Sequence, residues 1–141
     1  MRYLDANVFL YYILDPEAGR NRMASKNLLM RVAEGSMRGA TSVFTWDEIV
    51  WAVKKKVGLD IAKTEGAKFL KFPSLILLEA DEAVLITAQS LVEGYGMRPR
   101  DAIHAACCIE NGIDEIITND PDFDRVEGLR RISLEDASAS V

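Results

Sequence analysis

The 141-residue chain is long enough to bury one core, and its 49% apolar and 28% charged residues are those of an ordinary soluble globular protein. No apolar stretch, residues 8–14 and 75–78 included, could span a bilayer, and a charge at Asp5 leaves no room for a signal-peptide core. A net charge of −5 argues against a nucleic-acid partner, unless acids are gathered where a cation neutralises them; setting four aside leaves −1.

Along the chain, residues 1–4 form an apolar first strand that ends at Asp5. Residues 7–14 suit a helix or a continued strand, stopped by Asp15-Pro16. Residues 21–34 carry Ala24, Leu28, Leu29 and Val32 at helical spacing, with Gly35 as the stop. Residues 39–44 read as a second strand. Thr45-Trp46-Asp47-Glu48 then opens a helix with Trp46, Ile49, Val50 and Val53 as its apolar face and Lys54, Lys55 and Lys56 at its carboxyl end. A further helix covers 61–72, and the apolar run 75–78 has the composition of a strand covered on both faces.

Residues 81–95 and 99–111 are the next helices, the second with Pro99 in its first turn and Gly112 past its end. Residues 115–118 form a strand leading to Asp120, and 131–132 a last short one. The reading is one domain over 1–132, followed by a frayed polar tail, 133–141. The adjacent Cys107 and Cys108 cannot bridge each other, and read as reduced core thiols in a cytoplasmic protein. Alternating strands and helices predict an α/β fold, a parallel sheet with helices on both faces and its site at the carboxyl strand ends.

Four acids reach that edge: Asp5, Glu48, Asp101 and Asp120. Such oxygen ligands on rigid elements suit Mg²⁺ or Mn²⁺. Each also has a purely structural reading. Asp5 could cap the next helix. Thr45-x-x-Glu48 matches a capping box, which spacing alone favours for Glu48. Asp101 could complement a helix dipole, and Asp120 could be a turn acid.

Together these segments resemble the PIN domain, specifically the short ribonucleases of the VapC toxin kind. The similarity covers about residues 2 to 132. It rests on Tyr3-Leu4-Asp5-Ala6-Asn7-Val8-Phe9, on Arg100-Asp101-Ala102-Ile103-His104-Ala105-Ala106, and on Ile116-Ile117-Thr118-Asn119-Asp120-Pro121-Asp122-Phe123. Glu48 stands where that family carries its helical Glu, the least specific of the motifs.

The resemblance implies a three-layer α/β/α sandwich and a Mg²⁺- or Mn²⁺-dependent endoribonuclease that leaves 5′-phosphate and 3′-hydroxyl ends. It makes Asp5 and Asp101 the direct metal ligands, with Asp120 and Glu48 completing the catalytic acids. Thr118 would orient the site by hydrogen bonding and Asn7 would brace the Asp5 loop. Asp122 and Asp124 are extra acids that could share the role of Asp120. Ala6 departs from the Thr or Ser of many members, so one hydroxyl is expected to be missing. The implied partners are RNA, a small antitoxin protein and a second copy of the chain in a homodimer, with no membrane.

Outside the acid set, Arg98 and Arg100 could hold phosphate, with Lys54, Lys55 and Lys56 extending the path or only ending their helix. Tyr11, Tyr12, Trp46 and Trp51 could stack on bases, although their spacing favours core packing. His104 reads as a packing residue. The alternative functions are an RNA-processing or non-catalytic PIN scaffold, or an aspartyl phosphotransfer domain. The last wants a second acid beside Asp5 and a late lysine, and none follows Lys71.

Overall fold

The computed structural model describes residues 1–140. Its strands are short: β1 (Arg2–Leu4), β2 (Gly39–Ser42), β3 (Ile76–Leu78), β4 (Glu115–Ile117) and β5 (Arg130–Ile132), of which β3 and β4 carry the aliphatic pairs that favour strands while the small residues of β2 are buried throughout. They form one parallel sheet in the order β3-β2-β1-β4-β5, with Tyr3 opposite Ala40 on one side and Ile116 on the other.

Alternation along the strands divides the interior into two cores. Tyr3 and Ile116 face one side, whereas Leu4 and Ile117 face the other. The Tyr3 face is covered by α5 (Glu82–Tyr95) and α6 (Pro99–Glu110), joined by Phe123 from the 3₁₀ turn Pro121–Arg125. The Leu4 face is covered by α1 (Ala6–Leu14), α2 (Arg20–Glu34), α3 (Thr45–Val57), α4 (Leu59–Leu70) and α7 (Leu134–Ala139). This is the expected three-layer α/β/α sandwich. Each fully buried Leu or Ile contributes roughly 1.5–3 kcal/mol to it.

Gly35 and Gly39 are among the glycines that geometry requires. Gly35 ends α2 at φ 81°, a left-handed conformation that costs a side-chain-bearing residue steric strain. Gly39 lets β2 run under α2, since a Cβ there would lie 2.8 Å from Leu4 Cδ1 and 2.9 Å from Val32 Cγ2.

The sheet order reverses between β1 and β4. Two crossovers carry the chain outward from β1 to β2 and β3, and the next carries it back to β4. A crevice opens at the carboxyl ends of strands flanking such a reversal. Asp5 follows β1 there, and Thr118 and Asp120 follow β4.

Three expectations are corrected. The run 75–78 is not a strand covered on both faces: β3 is an edge strand, with Ile76 exposed. The frayed tail is, over residues 134–139, a helix against α2, because Leu134 and Ala137 are three apart and fully buried. Ser133 caps it, its Oγ accepting from Asp136 N, and only Val141 of that tail lies outside the described residues. Trp46 is not on the buried face of α3, which is Thr45, Ile49 and Val53.

Candidate active site

Asp5 is the first residue past β1, only 4% exposed, with extended backbone at φ −64° that turns the chain into α1. It makes no side-chain cap to that helix, so the capping reading fails. Its Oδ2 instead accepts the Thr118 hydroxyl at 2.7 Å, and the Thr118 oxygen accepts from Asp120 N at 3.1 Å. One buried hydroxyl thus ties the end of β1 to the end of β4.

Glu48 is not a capping-box residue. The Thr45 hydroxyl bonds to Thr41 Oγ1 at 2.7 Å, and Thr41 in turn donates to Leu4 O at 2.8 Å. With Thr45 so engaged, the first residue before α3 is Phe44, which makes no side-chain cap. The Glu48 carboxylate reaches His104 Nε2 at 2.8 Å, across to α6.

His104 is the site residue that sequence reasoning missed. It is 1% exposed but not merely packed: Nδ1 lies 2.5 Å from Tyr3 Oη, and Nε2 lies 3.6 Å from Asp5 Oδ1 as well as against Glu48. The Tyr3 oxygen already accepts from Ser42 N at 2.9 Å, so its own proton is free for Nδ1. In the neutral ring Nε2–H then donates to Glu48, the tautomer that the buried phenol selects. The available signal was spacing: His104 is three residues after Asp101 and shares its helix face.

Two ligand trios result. In one, ligand atoms of Asp5, Glu48 and His104 lie within 4.8 Å of one another; in the other, those of Asp101, Asp120 and Asp122 do. Asp101 is in the first turn of α6, after Pro99 at a position where a missing N–H costs nothing. Asp120 precedes the 3₁₀ turn, its Oδ1 accepting from Asp122 N at 2.9 Å, which brings Asp122 in beside it. The two acids expected to bind metal directly, Asp5 and Asp101, thus belong to different trios.

Electrostatics joins the trios into one centre. Asp101 is pushed up to about 6 by burial and then by the charges of Asp5, Asp120 and Glu48, against the opposing pull of His104. Burial also raises Asp5, against the opposing effects of His104 and the Thr118 hydrogen bond. For His104, burial works against the charged form but is outweighed by the Glu48 hydrogen bond and the charges of Asp5, Glu48 and Asp101, so its pKa is raised. Burial and mutual repulsion both disfavour the charged carboxylates here, and a divalent cation bound among them would offset both, so the residues present fit such an ion. One trio is all oxygen and the other adds an imidazole.

The remaining expected residues divide. Asp124 is outside the centre, exposed and paired with Arg131 at 2.9 Å, which lowers its pKa by hydrogen bonding. Asn7 does not brace the Asp5 loop, being exposed with no side-chain hydrogen bond among the described residues. Asn119 instead ties the end of β4 to α7 and α2: Oδ1 accepts from Leu134 N and Nδ2 donates to Asn21, each at 3.1 Å. Arg98 is exposed at the start of α6. Arg100, also exposed, pairs with Asp47 at 3.5 Å and lies 5.2 Å over the Trp51 ring. Trp46 and Trp51 are 42% and 51% exposed and Tyr12 is also exposed, so these three are not core residues; Tyr11 is half-buried. Cys107 and Cys108 are buried free thiols, as expected.

Comparison with known proteins gives a consistent picture. A family model described as PIN domain matches residues 2–129. Among solved structures, VapBC2 from Rickettsia felis, bound to a DNA fragment from its promoter, superposes with TM-score 0.71 at 20% identity, covering 94% of this chain and 98% of that one. DNA-bound VapBC from Salmonella typhimurium gives 0.70 at 20%, covering 94% and 97%. VapC20 of Mycobacterium tuberculosis, described as a toxin that cleaves the sarcin–ricin loop, gives 0.71 at 14%, covering 88% and 93%. No curated protein matches the chain.

Proposed function

Because this chain belongs to the PIN domain family, we propose that it is a divalent-metal-dependent endoribonuclease, the toxin half of a toxin–antitoxin pair. The observation that carries this is the pair of ligand trios at the reversal of the sheet, where burial first and then the neighbouring acids raise Asp101 to about 6. Asp101, Asp120 and Asp122 are the oxygen set for a Mg²⁺ or Mn²⁺ ion, and Asp5 and Glu48 complete the charge around it. A cation held there supplies positive charge to the attacked phosphate and lowers the pKa of water at the site.

The protein's own residues do the rest. Thr118 fixes the Asp5 carboxylate and the Asp120 backbone relative to each other. His104, held by Tyr3, fixes Glu48. Arg98 and Arg100, exposed at the amino end of α6 beside Asp101, are the phosphate contacts in this reading. The aspartyl-phosphotransfer alternative has no support, since the Asp5 carboxylate is buried and bonded to Thr118 rather than free to attack a phosphoryl group.

The antitoxin partner is supported by the VapBC complexes among the structural neighbours, and by an apolar cleft lined by Phe9, Tyr12, Ile13, Leu29, Phe69 and Phe72. Exposed Leu85 and Ile86 on α5 and Ile109 on α6 support a homodimer. Incubation with RNA tests the activity. Cleavage in Mn²⁺ or Mg²⁺, abolished by EDTA and leaving 5′-phosphate ends, is the expected result; cleavage that persists in EDTA would refute it.

A further inference from the structure

The rim of the site carries a feature that the acid cluster does not need. Trp51 is three residues beyond Glu48 on α3, and Lys55 four beyond Trp51, so all three share one side of the helix. The indole is 51% exposed, off the face that buries Ile49 and Val53, and makes no hydrogen bond among the described residues. Two cations stand over its ring, Lys55 Nζ at 4.8 Å and the Arg100 guanidinium at 5.2 Å. Arg100 is the neighbour of Asp101, and its ion pair with Asp47, beside Glu48, is about half-exposed at both ends and therefore weak. Lys54, Lys55 and Lys56 are all exposed, with no ion pair among the described residues.

We infer that Trp51, flanked by Lys55 and Arg100, is a stacking platform for an unpaired base of single-stranded RNA beside the cleavage site. The inference rests on the ribonuclease proposed above and names the form of its substrate. A chain of net charge −5 whose site is a knot of carboxylates repels phosphate, so productive approach needs local positive charge at the rim. Lys55 and Arg100 over the indole and Arg98 at the start of α6 supply it, which favours a polyanion over a protein as the occupant. The indole face over which the exposed Lys55 and Arg100 stand becomes a base platform when one of them swings aside to a phosphate; stacking there adds affinity that does not depend on sequence, and only an unstacked base can use it.

The test is binding, read without catalysis. In EDTA, a short fluorescein-labelled oligouridylate is titrated with protein by anisotropy, and Trp51 emission is followed in a Trp46→Phe background. The expected results are quenching of Trp51 on binding, and about tenfold weaker binding by Trp51→Ala, with most affinity kept by Trp51→Phe. Lys55→Ala should reduce the slope of log affinity against log salt by about one. A blunt RNA duplex should not quench Trp51.

Single-strand binding by Trp51→Ala equal to that of wild type, with unchanged KM for cleavage, overturns the platform and leaves the ribonuclease standing. Quenching by the single strand without any metal-dependent cleavage overturns the ribonuclease and leaves the platform. If Trp51→Ala instead changes the sedimentation of the free protein while RNA binding is unaltered, Trp51 is a protein contact and the inference fails.

Discussion

The buried imidazole of His104 holds the Glu48 carboxylate at 2.8 Å across 56 residues of sequence, joining α6 to α3 at the site. The bond matters because Glu48 sits in the first turn of a helix with no cap to restrain it, so its direction is set by the histidine. His104→Ala should therefore weaken Mn²⁺ binding about tenfold or more, whereas His104→Gln, which can still donate to Glu48, should recover most of it. Calorimetric titration with Mn²⁺ measures both; equal affinity in all three proteins would make His104 a packing residue after all.

Tyr3 is the anchor behind that bond. Tyr3→Phe removes the partner of both Ser42 N–H and His104 Nδ1 in a fully buried place, which should cost about 1–3 kcal/mol for each group left unpaired. Urea unfolding measures the loss. A stability equal to wild type would mean that water replaces the phenol.

Thr118 gives a sharper comparison. Its hydroxyl donates to Asp5 and accepts from Asp120 N, so Thr118→Val severs β1 from β4 at the site while keeping the side-chain shape. It should lose Mn²⁺ affinity and cleavage rate together, and Thr118→Ser should restore both. Failure of the serine to rescue would indicate that packing, not the hydroxyl, is what Thr118 contributes.

The extra acids should separate cleanly. Asp122→Asn should lower activity much as Asp120→Asn does, because both belong to one trio. Asp124→Asn should leave activity near wild type, since Asp124 is exposed and engaged by Arg131. Cleavage assays in Mn²⁺ decide it, and the reverse order would exchange the two assignments.

Much of this centre is legible in the residues themselves. Asp5 and Asp120 were readable because each follows a short apolar strand, and a parallel sheet brings such ends together. His104 was not, because a histidine among alanines looks like a core residue, and its partners Tyr3 and Glu48 are 101 and 56 residues away. Glu48 was ambiguous for the opposite reason: its local partner Thr45 was in plain view, yet Thr45 bonds to Thr41 instead. The edge position of β3 and the helix at 134–139 were hidden too. Four apolar residues in a row suggested burial on both sides, and a polar composition concealed Leu134 and Ala137.

The pH dependence of the metal-free protein follows from the raised groups. Asp101 and Asp5 hold protons in the folded state above the ordinary carboxyl range, and His104 above the ordinary imidazole value. Folding therefore takes up protons, and stability falls as pH rises: for Asp101 the loss accumulates between about pH 4 and about pH 6 and is complete above it. The difference in melting temperature between Asp101→Asn and wild type in EDTA should thus grow in favour of the mutant across that window. A difference that is flat or shrinks with pH would mean that burial and neighbouring charge do not raise the Asp101 carboxyl.

The central claim, that these acids form one cation-binding centre, is tested most directly by melting wild type and Asp101→Asn in EDTA and then in millimolar Mn²⁺. Carboxylates about 4 Å apart repel by roughly 4 kcal/mol per pair at an effective dielectric of about 20, so loss of one charge should raise the metal-free melting temperature. Mn²⁺ binds only the folded state and should raise wild type well above its EDTA value while adding little to the mutant. A wild type indifferent to Mn²⁺, with Asp101→Asn melting lower than wild type in EDTA, would show that the acids serve the fold and not a metal.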